Sequence, residues 1–167
     1  ATHLIGIAAP GSISNRARIA PTSGVTAFAN FFTVSGNGCL FQNIQWFQGF
    51  TAGVASSICM TVSGGRNVFV GCHIAGMGST DAVDAQHAGS RNLKISTTGE
   101  NKFIDSTIGI DTILRSAANA SVEFSGGCPR NEFINCVFPI ITDDAAALGI
   151  LVAAAAGSDR FQLFKNC

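Results

Sequence analysis

Asn101-Lys102-Phe103-Ile104-Asp105-Ser106-Thr107-Ile108 and Asn131-Glu132-Phe133-Ile134-Asn135-Cys136-Val137-Phe138 are two copies of one pattern. Both read N-x-F-x-[N/D]-[small or apolar]-x-[large apolar]. Working outward, the same order recurs in Asn67-Val68-Phe69-Val70-Gly71-Cys72-His73-Ile74. Looser copies are Gly38-Cys39-Leu40-Phe41-Gln42-Asn43-Ile44-Gln45-Trp46 and Arg160-Phe161-Gln162-Leu163-Phe164-Lys165-Asn166-Cys167. The anchor phenylalanines are Phe41, Phe69, Phe103, Phe133 and Phe164, and subtraction gives spacings of 28, 34, 30 and 31. Fixed-length helical repeats do not drift by six residues. A coil of strands tolerates the drift, because loops of any size can leave between its sides.

The phase within each copy predicts strand, one-residue bend, strand. The anchor Phe and the residue two before it (Asn67, Asn101 or Asn131) share one side, since strand side chains alternate. Asn43, Gly71, Asp105, Asn135 or Asn166 follows, and these residue types accept φ > 0. One left-handed residue there turns the chain into a corner. Beyond it the inward positions fall on Ile44 and Trp46, Cys72 and Ile74, and Cys136 and Phe138. A further alternating strand precedes each anchor: Phe32–Gly36, Cys59–Gly64, Leu93–Ser96 and Ser121–Gly126. The first coil is placed at Leu4–Ala8 and Ala17–Ala20. Ala75–Gly89, Gly109–Asn119 and Pro139–Gly149 supply a third side and longer loops.

A single coil cannot bury its own face, so the coils must stack, with strands about 4.8 Å apart. Like residues then form columns: phenylalanines inside, Asn-type residues at the bend, and a small or thiol column of Ile44, Cys72, Ser106, Cys136 and Cys167. Asn stacked at the bend is expected to hydrogen-bond along the axis. An antiparallel sandwich would need tight hairpins every 8–12 residues, and Asn37-Gly38 is the sole such signal. The expected fold is therefore all-β: a right-handed, single-stranded parallel β-helix of five to six coils of about thirty residues. Residues 1–167 are expected to form one such domain. Because the pattern stops in mid-coil at Cys167, the chain is expected to be a fragment of a longer polypeptide.

Composition narrows the functions. Charged residues make up 12% of the 167, with ten of each sign. That balance gives no footprint for nucleic acid or for an anionic membrane. No apolar run reaches the length of a membrane span. Ala145–Ala156 is read as a buried segment of small side chains. None of the six cysteines sits in a CxxC or CxxH pair, so buried free thiols are expected rather than zinc ligands or disulfides.

Chemistry is sparse. Asp105 falls in the bend column and Asp143-Asp144 reads as a solvated turn. Asp81, Asp84 and His87 form the one acid–histidine cluster, in a long loop, where a cap or a contact between subunits outweighs catalysis. His73 lies on the outward side of its strand and Cys72 on the inward side, which excludes a nucleophilic Cys–His pair. No G-x-S-x-G elbow occurs, and Gly64-Gly65 and Gly126-Gly127 read as turns. Trp46 takes an inward position and no Tyr exists, so the aromatic platforms of sugar grooves are missing. Phe47 and Phe50 are candidates for an exposed apolar edge. No catalytic residue, metal or cofactor is expected.

His3-Leu4-Ile5-Gly6-Ile7, the Val34-Ser35-Gly36-Asn37 and Val62-Ser63-Gly64 turns and the N-x-F-x-N/D corners resemble parallel β-helices of tailed-phage structural proteins. The likeness covers nearly the whole chain and extends to the wider class that includes pectate lyases and tailspikes. It implies a non-catalytic structural module of a bacteriophage virion, on capsid or tail. Its partners would be other virion proteins and further copies in a trimer. The alternative it implies is a tailspike-like or lyase-like domain that binds or cleaves surface polysaccharide. Pectate lyases place an aspartate cluster and a catalytic Arg or Lys on adjacent strands, a constellation not found here. A bacterial adhesin or passenger domain is a third possibility.

Overall fold

The computed structural model describes residues 2–7, 17–21, 29–49, 56–80, 86–153 and 157–167. The strands fall into successive rungs. The first contains β1 (His3–Ile5), β2 (Ala17–Ile19) and β3 (Asn30–Val34). The second contains β4 (Leu40–Gln42), β5 (Ile44–Phe47) and β6 (Ile58–Val62). The third contains β7 (Val68–Val70), β8 (His73–Ala75) and β9 (Arg91–Ser96). The fourth contains β10 (Lys102–Ile104), β11 (Thr107–Ile108), β12 (Ile110–Arg115) and β13 (Ala120–Ser125). The fifth contains β14 (Glu132–Ile134), β15 (Ile140–Thr142) and β16 (Leu148–Val152), and β17 (Leu163–Lys165) follows.

Corresponding strands pair in parallel and make three sides. The first side is β1-β4-β7-β10-β14-β17, the second β2-β5-β8-β11, and the third β3-β6-β9-β13-β16. This is a parallel β-solenoid of about four turns, with no helix among the described residues. The expected five to six coils overcount it. In the fifth rung the second side shrinks to one bridge, Thr107 to Val137, and the last rung contributes a single strand.

The register is residue-on-residue. Phe41 pairs with Phe69, Phe69 with Phe103, Phe103 with Phe133, and Phe133 with Phe164. Their rings stack nearly parallel with centroids 4.9, 4.6, 4.8 and 4.8 Å apart. Phe69, Phe103 and Phe133 are fully buried, and Phe164 packs against the core from the last rung. On the third side, Met60, Leu93 and Val122 form one inward column and Val62, Ile95 and Phe124 the next. Trp46 and Ile74 fill the second side's inner face.

Two corners with φ > 0 bracket the first side. Asn43 (φ 56°), Gly71 (60°), Asp105 (49°), Asn135 (53°) and Asn166 (53°) stand at its exit. Gly38 (66°), Arg66 (59°), Glu100 (61°) and Arg130 (54°) stand at its entrance. The second set shows no Asn or Gly preference beyond Gly38, so it left no signature in the sequence. The exposed side chains of these residues compensate in part: Glu100 accepts from Arg66 at 2.7 Å and from Arg130 at 3.3 Å. Gly64 is needed for a different reason, close approach. A Cβ there would lie 1.9 Å from the Gly36 carbonyl of the rung before.

The buried polar ladder sits beside the Phe column rather than at the bend. Asn67 Oδ1 accepts from the Cys39 amide at 2.7 Å, Asn101 Oδ1 from the Asn67 amide at 3.0 Å, and Asn131 Oδ1 from the Asn101 amide at 3.2 Å. Gln162 Oε1 continues it to the Asn131 amide at 3.2 Å. The bend column carries a shorter, exposed ladder: Asn135 Nδ2 donates to Asp105 and Asn166 Nδ2 to Asn135. Each buried carboxamide thus satisfies a backbone donor at the strand entrance that would otherwise be orphaned.

Two expectations are corrected. Of the run 145–156, the described residues 145–153 are not a buried segment. Leu148, Ile150 and Val152 keep the inward phase of Ala120, Val122 and Phe124, yet remain 40 to 49% exposed because β16 ends the third side. Gly109–Asn119 and Pro139–Gly149, expected to supply a third side and longer loops, contain β12 and β15, which pair with each other in a two-stranded sheet apart from the three sides.

Phe103→Ala or Phe133→Ala should lower unfolding free energy in urea by about 3–5 kcal/mol, since each empties a fully buried stacking position. Asn101→Ala should cost about 1–3 kcal/mol by stranding the Asn67 amide. A loss below about 1 kcal/mol for both phenylalanines would contradict the column.

Candidate functional site

Outward residues of the second side run in one line along the axis. Arg18 pairs with Gln45, Gln45 with His73, His73 with Thr107, and Thr107 with Val137. Beside this line, Gly109 ends β11 and the chain leaves through β12. Together they enclose an open cleft of about 820 Å³. Its floor is Arg18, Gln45, Phe47, His73 and Thr107. Its wall is Gly109 to Thr112 with Val137 and Pro139, and the lining is mostly apolar.

The side chains of the floor are held in place. His73 is 3% exposed although it faces outward, because the wall covers it. Gln45 Nε2 lies 2.9 Å from His73 Nδ1, and His73 Nε2 lies 2.9 Å from the Gly109 carbonyl oxygen. One tautomer satisfies both contacts: Gln45 donates to Nδ1 and the Nε2–H donates to Gly109. The imidazole thus braces two rungs and the wall. Arg18 is exposed, with its guanidinium 4.0 Å from the centroid of the Phe47 ring. That cation–π contact fixes an otherwise mobile side chain and covers one face of the ring.

The sequence-derived candidates distribute elsewhere. Asp81 and Asp84 lie outside the described residues, as does Phe50. His87 Nδ1 accepts from the amides of Ser56 at 3.2 Å and Gly89 at 3.0 Å, so it caps backbone across two rungs. Asp105 is a corner residue bound to Asn135. Asp144 caps the turn at the Ala146 amide, 2.7 Å away. No group of three or more His, Cys, Asp or Glu placed to hold a metal occurs among the described residues. All six cysteines are free thiols, five buried and Cys167 exposed. Cys72, Cys136 and Cys167 each direct Sγ at the carbonyl of a phenylalanine one rung back. Burial pushes the Cys136 thiol up to about 11.

The cleft residues share no type, so the sequence carries no motif for them. The one available signal was the outward parity of Gln45, His73 and Thr107.

A second polar cluster lies on the third side. Glu123 accepts from Arg91 Nε at 2.7 Å and pairs with Lys94 at 2.9 Å. Burial pulls its carboxyl upward, but the hydrogen bonds from Lys94 and Arg91 outweigh that, and it titrates below the usual glutamate range. Arg115, 3% exposed, donates to Ser121 Oγ and to the Leu148 carbonyl. These contacts tie β9, β13 and β16 together and offer no opening to a ligand.

Comparison with known proteins adds no relative: no family model, no curated protein and no solved structure matches the chain.

Two outcomes follow from these environments. Because Glu123 titrates lower folded than unfolded, its stabilising contribution is complete above the ordinary glutamate value of about 4.3 and is lost as pH falls through the depressed folded value. Urea midpoints should therefore drop on acidification below that range, and Glu123→Gln should flatten this acid limb. In native protein at neutral pH, a maleimide should modify Cys167 and spare buried Cys39, Cys59, Cys72, Cys128 and Cys136, and mass spectrometry should find all six labelled only after denaturation.

Proposed function

We propose that this chain is a non-catalytic structural module of a bacteriophage virion protein, on the capsid surface or the tail. It acts there as a stiff post beside other virion proteins, and self-association into a trimer is the expected form. The observation that supports this reading is the continuity of the stack. The Phe column runs from Phe41 to Phe164 without a gap, and the buried carboxamides of the repeat are spent on neighbouring rungs. A solenoid built this way gains length and rigidity while leaving few side chains for chemistry. The resemblance of its corners and turns to tailed-phage β-helices supplies the virion setting.

The polysaccharide alternative has less to rest on. Trp46 is wholly buried, and the Phe47 face toward Arg18 is already covered. The cleft therefore lacks the open aromatic platform on which sugar rings stack.

Mass measurement in solution should give a trimer, and imaging of a particle with the segment gold-labelled should place it on the outer surface. A reducing-end assay over a panel of bacterial surface glycans should detect no turnover. Turnover abolished by Asp81→Asn or Asp84→Asn would replace this reading with the enzymatic one.

A further inference from the structure

We propose that the cleft on the second side binds a long-chain aliphatic carboxylate, with the carboxylate at Arg18 and the chain running along the axis toward Val137. The inference is independent of the virion reading, since it rests on the cleft alone.

The line Arg18–Gln45–His73–Thr107–Val137 changes character from end to end. Four rung spacings separate its ends, about 19 Å. At one end stands an exposed guanidinium. At the other stands Val137, 59% exposed, beside Pro139 and Ile110. An elongated cleft that is cationic at one end and, Asp111 apart, apolar at the other matches a ligand with an anionic head and a hydrocarbon chain. The volume, about 820 Å³, lies within the roughly 300–1,000 Å³ of small-molecule sites.

Arg18 is suited to the head group. Its guanidinium, 4.0 Å from the Phe47 ring centroid, is a planar fork of N–H donors, the geometry that pairs two-to-two with a carboxylate. No described acidic side chain lies within ion-pair distance of it, whereas Arg66, Arg91, Lys94, Lys102 and Arg130 each have one. Stacking on the ring also lowers the entropy that the arginine would lose on binding.

The remaining polar groups set direction. Gln45 and His73 are buried and bonded to each other and to Gly109, so the middle of the floor presents little unsatisfied polarity to a hydrocarbon. Asp111 belongs to the wall strand leaving the rung of Thr107, three rung spacings or about 14 Å from that of Arg18. A carboxylate placed at that end would meet a like charge. The reversed orientation is therefore disfavoured. The same polarity argues against a neutral sugar chain, which would need hydrogen-bonding partners repeated along the cleft rather than a charge at one end.

Titration calorimetry with dodecanoate, below its micelle concentration, tests this on the chain. Saturable binding of one dodecanoate per chain is expected, with acetate and dodecanol both much weaker. Arg18→Gln should weaken dodecanoate by about tenfold or more, the loss of a charge-assisted pair, while leaving dodecanol unchanged. Val137→Asp, exposed and outside the core, should weaken both long-chain probes. Thermal melts of the two variants would confirm that they fold. Absence of saturable binding to the folded wild-type chain overturns the proposal. So does dodecanoate affinity that Arg18→Gln leaves unchanged, or acetate binding as tight as dodecanoate.

Discussion

The structure depends on one constraint: each rung must lie over the next in strict residue register. The core is only as wide as one coil, so no rung has a second layer to bury it. Its apolar residues are covered by the rungs above and below. A slip of one residue would turn every inward Phe outward, because strand side chains alternate. Two features enforce the register together. Rings at 4.6 to 4.9 Å repeat the spacing of paired strands, so the Phe column fits the backbone ladder without distortion. The Asn67–Asn101–Asn131 carboxamides bond to amides in adjacent rungs, and buried polar groups are costly to leave unmade. Hydrophobic stacking is tolerant of small shifts; the Asn ladder is not. Burial thus provides most of the stabilisation and the ladder most of the specificity.

That register explains why inward and outward faces of the same strands evolve under different demands. Inside, a residue contacts its own counterpart in the next rung, so like stacks on like. Outside, stacking still aligns the side chains, but solvent covers them and no common type is imposed. Arg18, Gln45, His73, Thr107 and Val137 can therefore differ completely and still form a straight line. The third side shows the same freedom used differently: Lys94 and Glu123 pair across adjacent rungs as an ion pair.

Legibility in the sequence follows this division. The Phe column and the exit corners were readable because their physics permits few residue types: an aromatic to stack, and Asn, Asp or Gly for φ > 0. The entrance corners at Arg66, Glu100 and Arg130 were not, although they have the same backbone sign. Their side chains reach solvent and join an ion-paired row, so ordinary long polar residues occupy a strained conformation. The ladder expected at the bend is present, but the buried one beside it was not legible, for a related reason. Asn at the bend and Asn two residues before Phe look alike in sequence, and only burial separates the exposed row from the buried one. The described part of the stretch, 145–153, differs from the expectation because apolar composition reports the phase of a strand, not whether a neighbour covers it. Leu148, Ile150 and Val152 have the inward phase, and no strand among the described residues pairs with the far edge of β16.

The cleft was the least readable feature, and the reason is structural. It requires the second side to be interrupted. In the rung of β11, Gly109 adopts φ 116°, and β12 leaves the stack to pair with β15. A Cβ at Gly109 would stand 2.7 Å from the Pro139 carbonyl, so the departure depends on that glycine. The wall it creates covers His73, whose Nε2–H then binds the Gly109 carbonyl and secures the exit. A single break in the regularity of the solenoid therefore does two things. It ends the second side early, and it turns an outward line into the floor of an open cleft with distinct ends. Function in such a fold should be sought where the repeat fails, since the repeat itself consumes the residues that would carry it.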